Sequence, residues 1–243
     1  MPSSPEITVV VPAYDEEARI GAVLRGMPAC VRHVIVVDDA SHDDTAGAAG
    51  RAGDARVTVV RHAVNRGVGA AIVTGYEAAL ARGGHESDAF VVMAGDDQMD
   101  PADLPRVAAP VLAGDAGYVK GNRFGAADIL RVMPPARWLG GQVLSWMTSR
   151  AIGVPIHDSQ CGYTAIARGA CGALDLHALW PRYGYPNDLL SQLALRGIAI
   201  REVPVRPVYA GEASGLRAYH VAGIARLVAR AYVRRITRRA RDR

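Results

Sequence analysis

Lysine is almost missing from this chain: of its 28 basic residues, only Lys120 is a lysine. Lys120 is followed by glycine, so a lysine-tipped phosphate loop of the GxxxxGK[ST] type is excluded. Cysteine is scarce as well. Cys30, Cys161 and Cys171 show no CxxC spacing, and their odd number leaves one unpaired in any disulfide scheme. That pattern favours a reducing compartment, and the three are expected to be core thiols. No stretch approaches the roughly eighteen apolar residues of a spanning helix. The leading MPSSPEITVVVP lacks the basic flank and long apolar run of a secretory leader. The expectation is a cytoplasmic protein, attached at most peripherally to the inner face of a membrane. The turn after the first apolar run reads PAYDEE and contains no GxGxxG, which argues against a dinucleotide cofactor. Gly67-Val68-Gly69-Ala70-Ala71-Ile72 comes later in the chain and lacks the last glycine of that pattern.

What is present suits one large α/β domain, since half of the 243 residues are hydrophobic. The formal charge of +4 is local. From Tyr219 onward there are eight arginines and one acid, Asp242, which leaves 20 basic and 23 acidic residues in the remainder. No aromatic and basic interleaving accompanies those arginines, so a nucleic-acid partner is not expected.

Short β-branched runs at Ile7–Val11, Val34–Val37, Val57–Val60 and Phe90–Met93 alternate with helical patterns at Glu16–Met27, Asp43–Gly53 and Val68–Arg82. Ser41-x-x-Asp44 reads as a helix start. This rhythm predicts a mostly parallel sheet with helices on both faces and the carboxyl ends of its strands on one edge. Three acidic clusters end those runs: Tyr14-Asp15-Glu16, Asp38-Asp39 and Asp96-Asp97-Gln98. Asp15, Ser41 or Asp43 alone reads as a helix cap. A cap needs only one short polar side chain, which leaves the Asp96-Asp97 pair unexplained. Ligands of open α/β sheets bind at this edge, and aspartate and amide oxygens suit Mg²⁺ or Mn²⁺ bridging to a diphosphate.

PAYDEE, VDDASHDDT, NRGVGAAIVTGY, GDDQMDP, KGNRF, DSQCGYTAIAR and EVPVRPVYAGEASG follow one another in the order and spacing of family-2 glycosyltransferases with a GT-A (Rossmann-like) fold. Across residues 6–215 the chain most resembles the polyprenyl-phosphate, or dolichol-phosphate, mannosyltransferase branch. The resemblance implies a GT-A domain over 1–215 and a basic amphipathic helical tail over 216–243. It implies inverting transfer of a hexose from a GDP- or UDP-sugar to a polyprenyl phosphate, with Mg²⁺ or Mn²⁺. Pro12, Tyr14, Glu16, Asp38, Asp39 and Gly67 would bind the nucleotide sugar together with Asp96 and Asp97. Asp96, Asp97 and Gln98 would supply the metal ligands. Two departures stand out: Ala94 occupies the first acidic position of the family's DxD-type signature, and Val68 replaces the lysine of its glycine-lysine-glycine variant. Arg123 and Arg137 match positions that meet phosphate. Asp188 and Asp158 are the alternatives for a general base, which an anionic acceptor would not need.

In the tail, Val221, Ile224, Leu227, Val228, Tyr232 and Val233 recur at helical spacing, and Arg226, Arg230 and Arg234 step by four. Its first turns are expected to pack on the domain, and Arg234–Arg243 to meet an anionic membrane surface. Three other readings compete. The acceptor could be a soluble hydroxyl on a metabolite or glycan. The enzyme could be a nucleotidyltransferase, although the lysine-bearing loop of that class is absent. The protein could be a binding protein without catalysis, which Ala94 suggests.

Overall fold

The computed structural model describes residues 4–125, 129–206, 208 and 218–241. The chain runs through β1 (Ile7–Ala13), α1 (Glu17–Arg25), β2 (Val31–Asp38), α2 (Thr45–Arg51), β3 (Val57–Arg61), α3 (Val68–Ala81), β4 (Ala89–Val92) and α4 (Leu104–Leu112). It continues with β5 (Tyr118–Asn122), α5 (Ile129–Val132), α6 (Pro135–Ile152), β6 (Thr164–Ala167), α7 (Arg168–Gly172), α8 (Tyr185–Leu195), β7 (Ile200–Pro204) and α9 (Ala218–Arg241). The seven strands form one sheet in the order β3-β2-β1-β4-β6-β5-β7.

The four β-branched runs are the four parallel strands β1 to β4, as their patterning predicts. β1 and β4 are buried along their whole length, so no polar alternation could show there, whereas β3 at the sheet edge is only partly buried. β6 is antiparallel to both β4 and β5, while β7 returns parallel to β5. Tyr76, Phe90, Tyr118 and Ile166 lie in one apolar layer with residues of α3, α6, α8 and α9. Val9, Val11, Val34 and Val36 lie in the other with residues of α1, α2 and α4.

Two local expectations are corrected. Cys30 is exposed, just ahead of β2, and only Cys161 and Cys171 are core thiols. Asp44 stands at the cap position of α2 without a side-chain cap, and Asp43 takes that role by accepting from the Thr45 backbone N–H at 3.1 Å. In α9, Ile224, Leu227, Val228 and Ala231 are buried against the domain. The Val221 side chain and residues 242–243 lie outside the described residues, whereas Arg234 pairs with Asp188 at 3.3 Å and Arg238 donates to the Leu195 carbonyl oxygen.

Candidate active site

The parallel register sets the ends of β1, β2 and β4 side by side, Ala13 opposite Asp38 and Val10 opposite Val92. Among the described residues, the non-glycine positions with positive φ are Asp15 (55°), Ala40 (61°) and Asp97 (60°), one in each of the three acidic turns. Each costs on the order of 1 kcal/mol. Such strain is held only where the surroundings dictate it.

The first two turns hold each other. The Asp15 N–H donates to Ser41 Oγ at 3.0 Å, and Asp15 Oδ1 accepts from the His42 N–H at 2.7 Å. Glu16 N–H meets Thr45 Oγ1 at 2.8 Å, Glu17 N–H meets Asp43 Oδ2 at 3.0 Å, and Asp44 N–H meets Glu17 Oε2 at 3.0 Å. These carboxylates are spent on the neighbouring turn's backbone. Tyr14 is 40% exposed and reaches His42 Nδ1 at 3.1 Å, whereas Pro12 is buried in β1.

Asp38 is fully buried; it accepts from the Ser41 N–H at 2.9 Å and pairs with Arg61 at 3.1 Å. Asp39 accepts from the Arg66 N–H at 2.9 Å and the Gly67 N–H at 2.7 Å, and meets His62 Nδ1 at 2.6 Å. Asp39 thus fixes the loop that opens α3. Gly67 in that loop has φ 95°, and a Cβ there would sit 2.7 Å from the Pro181 carbonyl oxygen, so glycine is required.

The third turn faces a small open cleft, whose wall includes Asp96, Gln98, Arg123, the Cys161–Tyr163 segment and Arg206. Asp97 is exposed and not in that wall. Asp96 Oδ1 accepts from the Gln98 N–H at 3.2 Å. Pro12, Tyr14, Glu16, Asp38, Asp39 and Gly67 stand at the strand ends and not in this wall, and Arg137 is in the first turn of α6, also outside it. Among the described residues no trio of His, Cys, Asp or Glu could enclose a metal alone. Asp96 and Gln98 both line the cleft, and a carboxylate and an amide oxygen are of the hard type that Mg²⁺ or Mn²⁺ takes.

Arg123 links β5 to the loop before β6. Its Nε and Nη2 donate to the two carboxylate oxygens of Asp158 at 2.7 and 2.9 Å, and its backbone N–H donates to the same group at 3.1 Å. Asp158 is fully buried and also accepts from the Cys161 N–H at 3.1 Å. Burial alone would raise the Asp158 carboxyl; Arg123 and Lys120 outweigh it and hold it below the usual carboxylate range. A depressed native pKa adds stability above the unfolded value near 3.9, and that stability disappears as pH falls through the native value. Thermal melts between pH 6 and pH 3 should therefore show a loss below about pH 4, smaller in Asp158→Asn than in the wild type.

Asp188 is 2% exposed on α8. It accepts from the Trp180 N–H at 3.0 Å and pairs with Arg230 at 2.7 Å and Arg234 at 3.3 Å, both from α9. Neither candidate base is unpaired. Sequence reasoning missed the partners: Glu202 accepts from the His157 and Asp158 N–H groups at 2.9 and 3.0 Å, and Lys120 donates to the Cys161 carbonyl at 2.5 Å. No local signal marks them, because each contact spans 41 residues or more.

The family model described as "Glycosyl transferase family 2" matches residues 8–172. The chain belongs to glycosyl transferase family 2. This glycosyltransferase is 30% identical over 217 residues to the undecaprenyl-phosphate mannosyltransferase of Micrococcus luteus, covering 82% of each chain. It is also 30% identical over 203 residues to the polyprenol monophosphomannose synthase of Mycolicibacterium smegmatis, covering 81% of this chain and 75% of that one. Among solved structures, glucosyl-3-phosphoglycerate synthase from Mycobacterium tuberculosis, crystallised with Mn²⁺, UDP and phosphoglyceric acid, superposes with a TM-score of 0.68 at 22% identity. That match covers 95% of this glycosyltransferase and 78% of the other chain, and it shares the fold.

Proposed function

We propose that this glycosyltransferase moves a hexose, with inversion, from a GDP- or UDP-sugar to a polyprenyl phosphate. One observation carries the choice of acceptor: both carboxylates that could act as a general base are held by arginines, Asp158 by Arg123 and Asp188 by Arg230 and Arg234. A hydroxyl acceptor must lose a proton as it attacks, whereas a phosphate oxyanion need not. In the proposed step the acceptor oxyanion attacks the anomeric carbon from the face opposite the diphosphate. The new carbon–oxygen bond forms as the bond to the diphosphate breaks, and no proton moves. The Micrococcus and Mycolicibacterium relatives, an undecaprenyl-phosphate mannosyltransferase and a polyprenol monophosphomannose synthase, support a lipid-phosphate acceptor.

Asp96 and Gln98 would hold a divalent Mg²⁺ or Mn²⁺, which when bound offsets charge on the leaving diphosphate. Arg123 lines the cleft with them and supplies a guanidinium suited to phosphate. Tyr14, Glu16, Asp38, Asp39 and Gly67 would shape the nucleoside end largely by fixing its backbone. Arg137 would meet the acceptor phosphate from the start of α6.

A lipid acceptor also asks for a surface that meets a bilayer. Leu139, Val143 and Trp146 of α6 are 59%, 49% and 66% exposed at i, i+4 and i+7, so they share one side of that helix. Exposed Tyr232, Val233 and Ile236 stand among the arginines of α9. Both features support peripheral contact at the cytoplasmic face of a membrane. Among the described residues no helix is long and apolar enough to cross one.

A second reading, a soluble phosphate-bearing acceptor, is favoured by the phosphoglyceric acid bound to the Mycobacterium tuberculosis neighbour. Incubation with a radiolabelled nucleotide sugar, Mn²⁺ and a short polyprenyl phosphate separates the two. Label is expected in the organic phase; label that stays in water with phosphoglycerate as the sole competent acceptor would select the second reading.

A further inference from the structure

The lone lysine of the chain is fully buried beneath the cleft. Lys120 is 0% exposed on β5, in register with Thr164 on one side and Glu202 on the other. Its Nζ donates to the Cys161 carbonyl, and Cys161 is part of the cleft wall. A buried ammonium with one carbonyl partner is expensive unless carboxylates lie close by. The groups that face it are Cys161, Asp158, Arg123 and Glu202. Burial pulls the lysine below its ordinary pKa, and Cys161, Asp158 and Glu202 partly restore it against Arg123.

The charge count explains why a lysine is worth burying there. The loop that forms the cleft floor is held by two carboxylates: Asp158 grips Arg123 and the Cys161 N–H, and Glu202 grips the His157 and Asp158 N–H groups. Arg123 is the permanent counter-charge of this pair, beside the His157 imidazole that meets Glu202 at 2.6 Å, so without Lys120 the floor keeps an excess negative charge under the place where phosphate belongs. The ammonium of Lys120 cancels it. An unbalanced unit charge several ångströms below a phosphate, in a partly desolvated site, weakens binding by about tenfold or more.

We propose that Lys120 is a positioning residue for the phosphate-bearing ligand: its buried ammonium balances Asp158 and Glu202 and pins the Cys161 carbonyl, which keeps the Arg123 guanidinium directed at phosphate. This rests on the reading above that the cleft takes a diphosphate.

The single lysine makes the test direct. Protein grown with side-chain ¹³C-labelled lysine gives one ε-carbon signal, which can be titrated with pH with and without Mg²⁺ and inorganic diphosphate, while calorimetry follows diphosphate binding. The expected result is a midpoint below that of an ordinary lysine that rises when diphosphate binds, with Lys120→Met binding diphosphate about tenfold more weakly. If wild type binds diphosphate but the lysine midpoint stays where it was, or folded Lys120→Met binds within twofold of wild type, the positioning role is overturned. If wild type binds no diphosphate, the reading of the cleft fails first, and this inference falls with it. Should Lys120→Met not fold, the wild-type signal alone decides.

Discussion

Asp96→Asn should abolish the manganese-dependent part of the melting-temperature rise that a nucleoside-diphosphate sugar produces, and should lower turnover by about 10³-fold. Ligand at one hundred times its dissociation constant stabilises the wild type by about 2.7 kcal/mol, or roughly 5–11 °C for a chain of this length. Asp96 and Gln98 share the cleft wall with Arg123, and no richer acidic cage exists among the described residues. Asparagine keeps an amide oxygen but loses the charge, so the proposed set would offer the ion two neutral amides, too weak to retain it. Binding of the sugar nucleotide without metal should change little, because an amide is nearly isosteric with the carboxylate it replaces. A screen of UDP-, GDP- and dTDP-sugars with and without Mn²⁺ reads the effect directly, and a mutant whose shift equals that of wild type removes Asp96 from the metal site. Asp97→Asn serves as the comparison. Its carboxylate is exposed and outside the cleft wall, so it should retain the metal-dependent shift.

Asp188→Asn should separate structure from chemistry. If Asp188 removed a proton from the acceptor, its loss would cost about 10²- to 10⁴-fold in turnover, the usual range for a general base. The geometry leads to the opposite expectation: turnover with polyprenyl phosphate within about tenfold of wild type, alongside a clear loss of stability. Asp188 is buried between Arg230, Arg234 and the Trp180 N–H, so the substitution breaks a tie between α8 and α9. The cost is about 3 kcal/mol, at the low end for a buried pair, since the two arginine side chains are 39% and 40% exposed. That corresponds to a fall of roughly 6–12 °C in melting temperature. Turnover reduced a thousandfold with an unchanged melting temperature would restore Asp188 as the base and point to a hydroxyl acceptor.

Legibility followed the range of the interactions. β1 to β4 and α1 to α3 stand close to where apolar periodicity puts them, because each is specified by its own side chains. The second half of the sheet was not legible. β5 reads Tyr-Val-Lys-Gly-Asn and β6 only Thr-Ala-Ile-Ala, and the antiparallel insertion of β6 between β4 and β5 follows from pairings more than forty residues apart. The site divided in the same way. Gln98 and Asp96 are neighbours in sequence, and their joint presence in the cleft could be anticipated. The grip of Arg123 on Asp158 joins positions 35 apart, and that of Arg234 on Asp188 joins positions 46 apart. Arginines stepping by four in the tail announce a helix, yet say nothing about which carboxylate they meet. The acidic turns after β1 and β2 were legible as clusters, but their cross-latching, which spends most of the carboxylates on backbone N–H groups, depends on the parallel register of the two strands.

Cys30 lies just ahead of β2, at the amino end of the strand, while the acidic turns gather at the carboxyl ends, and the other two thiols are buried. A maleimide dye or spin label should therefore attach at one position of the folded wild-type protein, at the opposite edge of the sheet from the acidic turns. Distance measurements to a labelled vesicle or acceptor could then be made without first engineering cysteines into the chain.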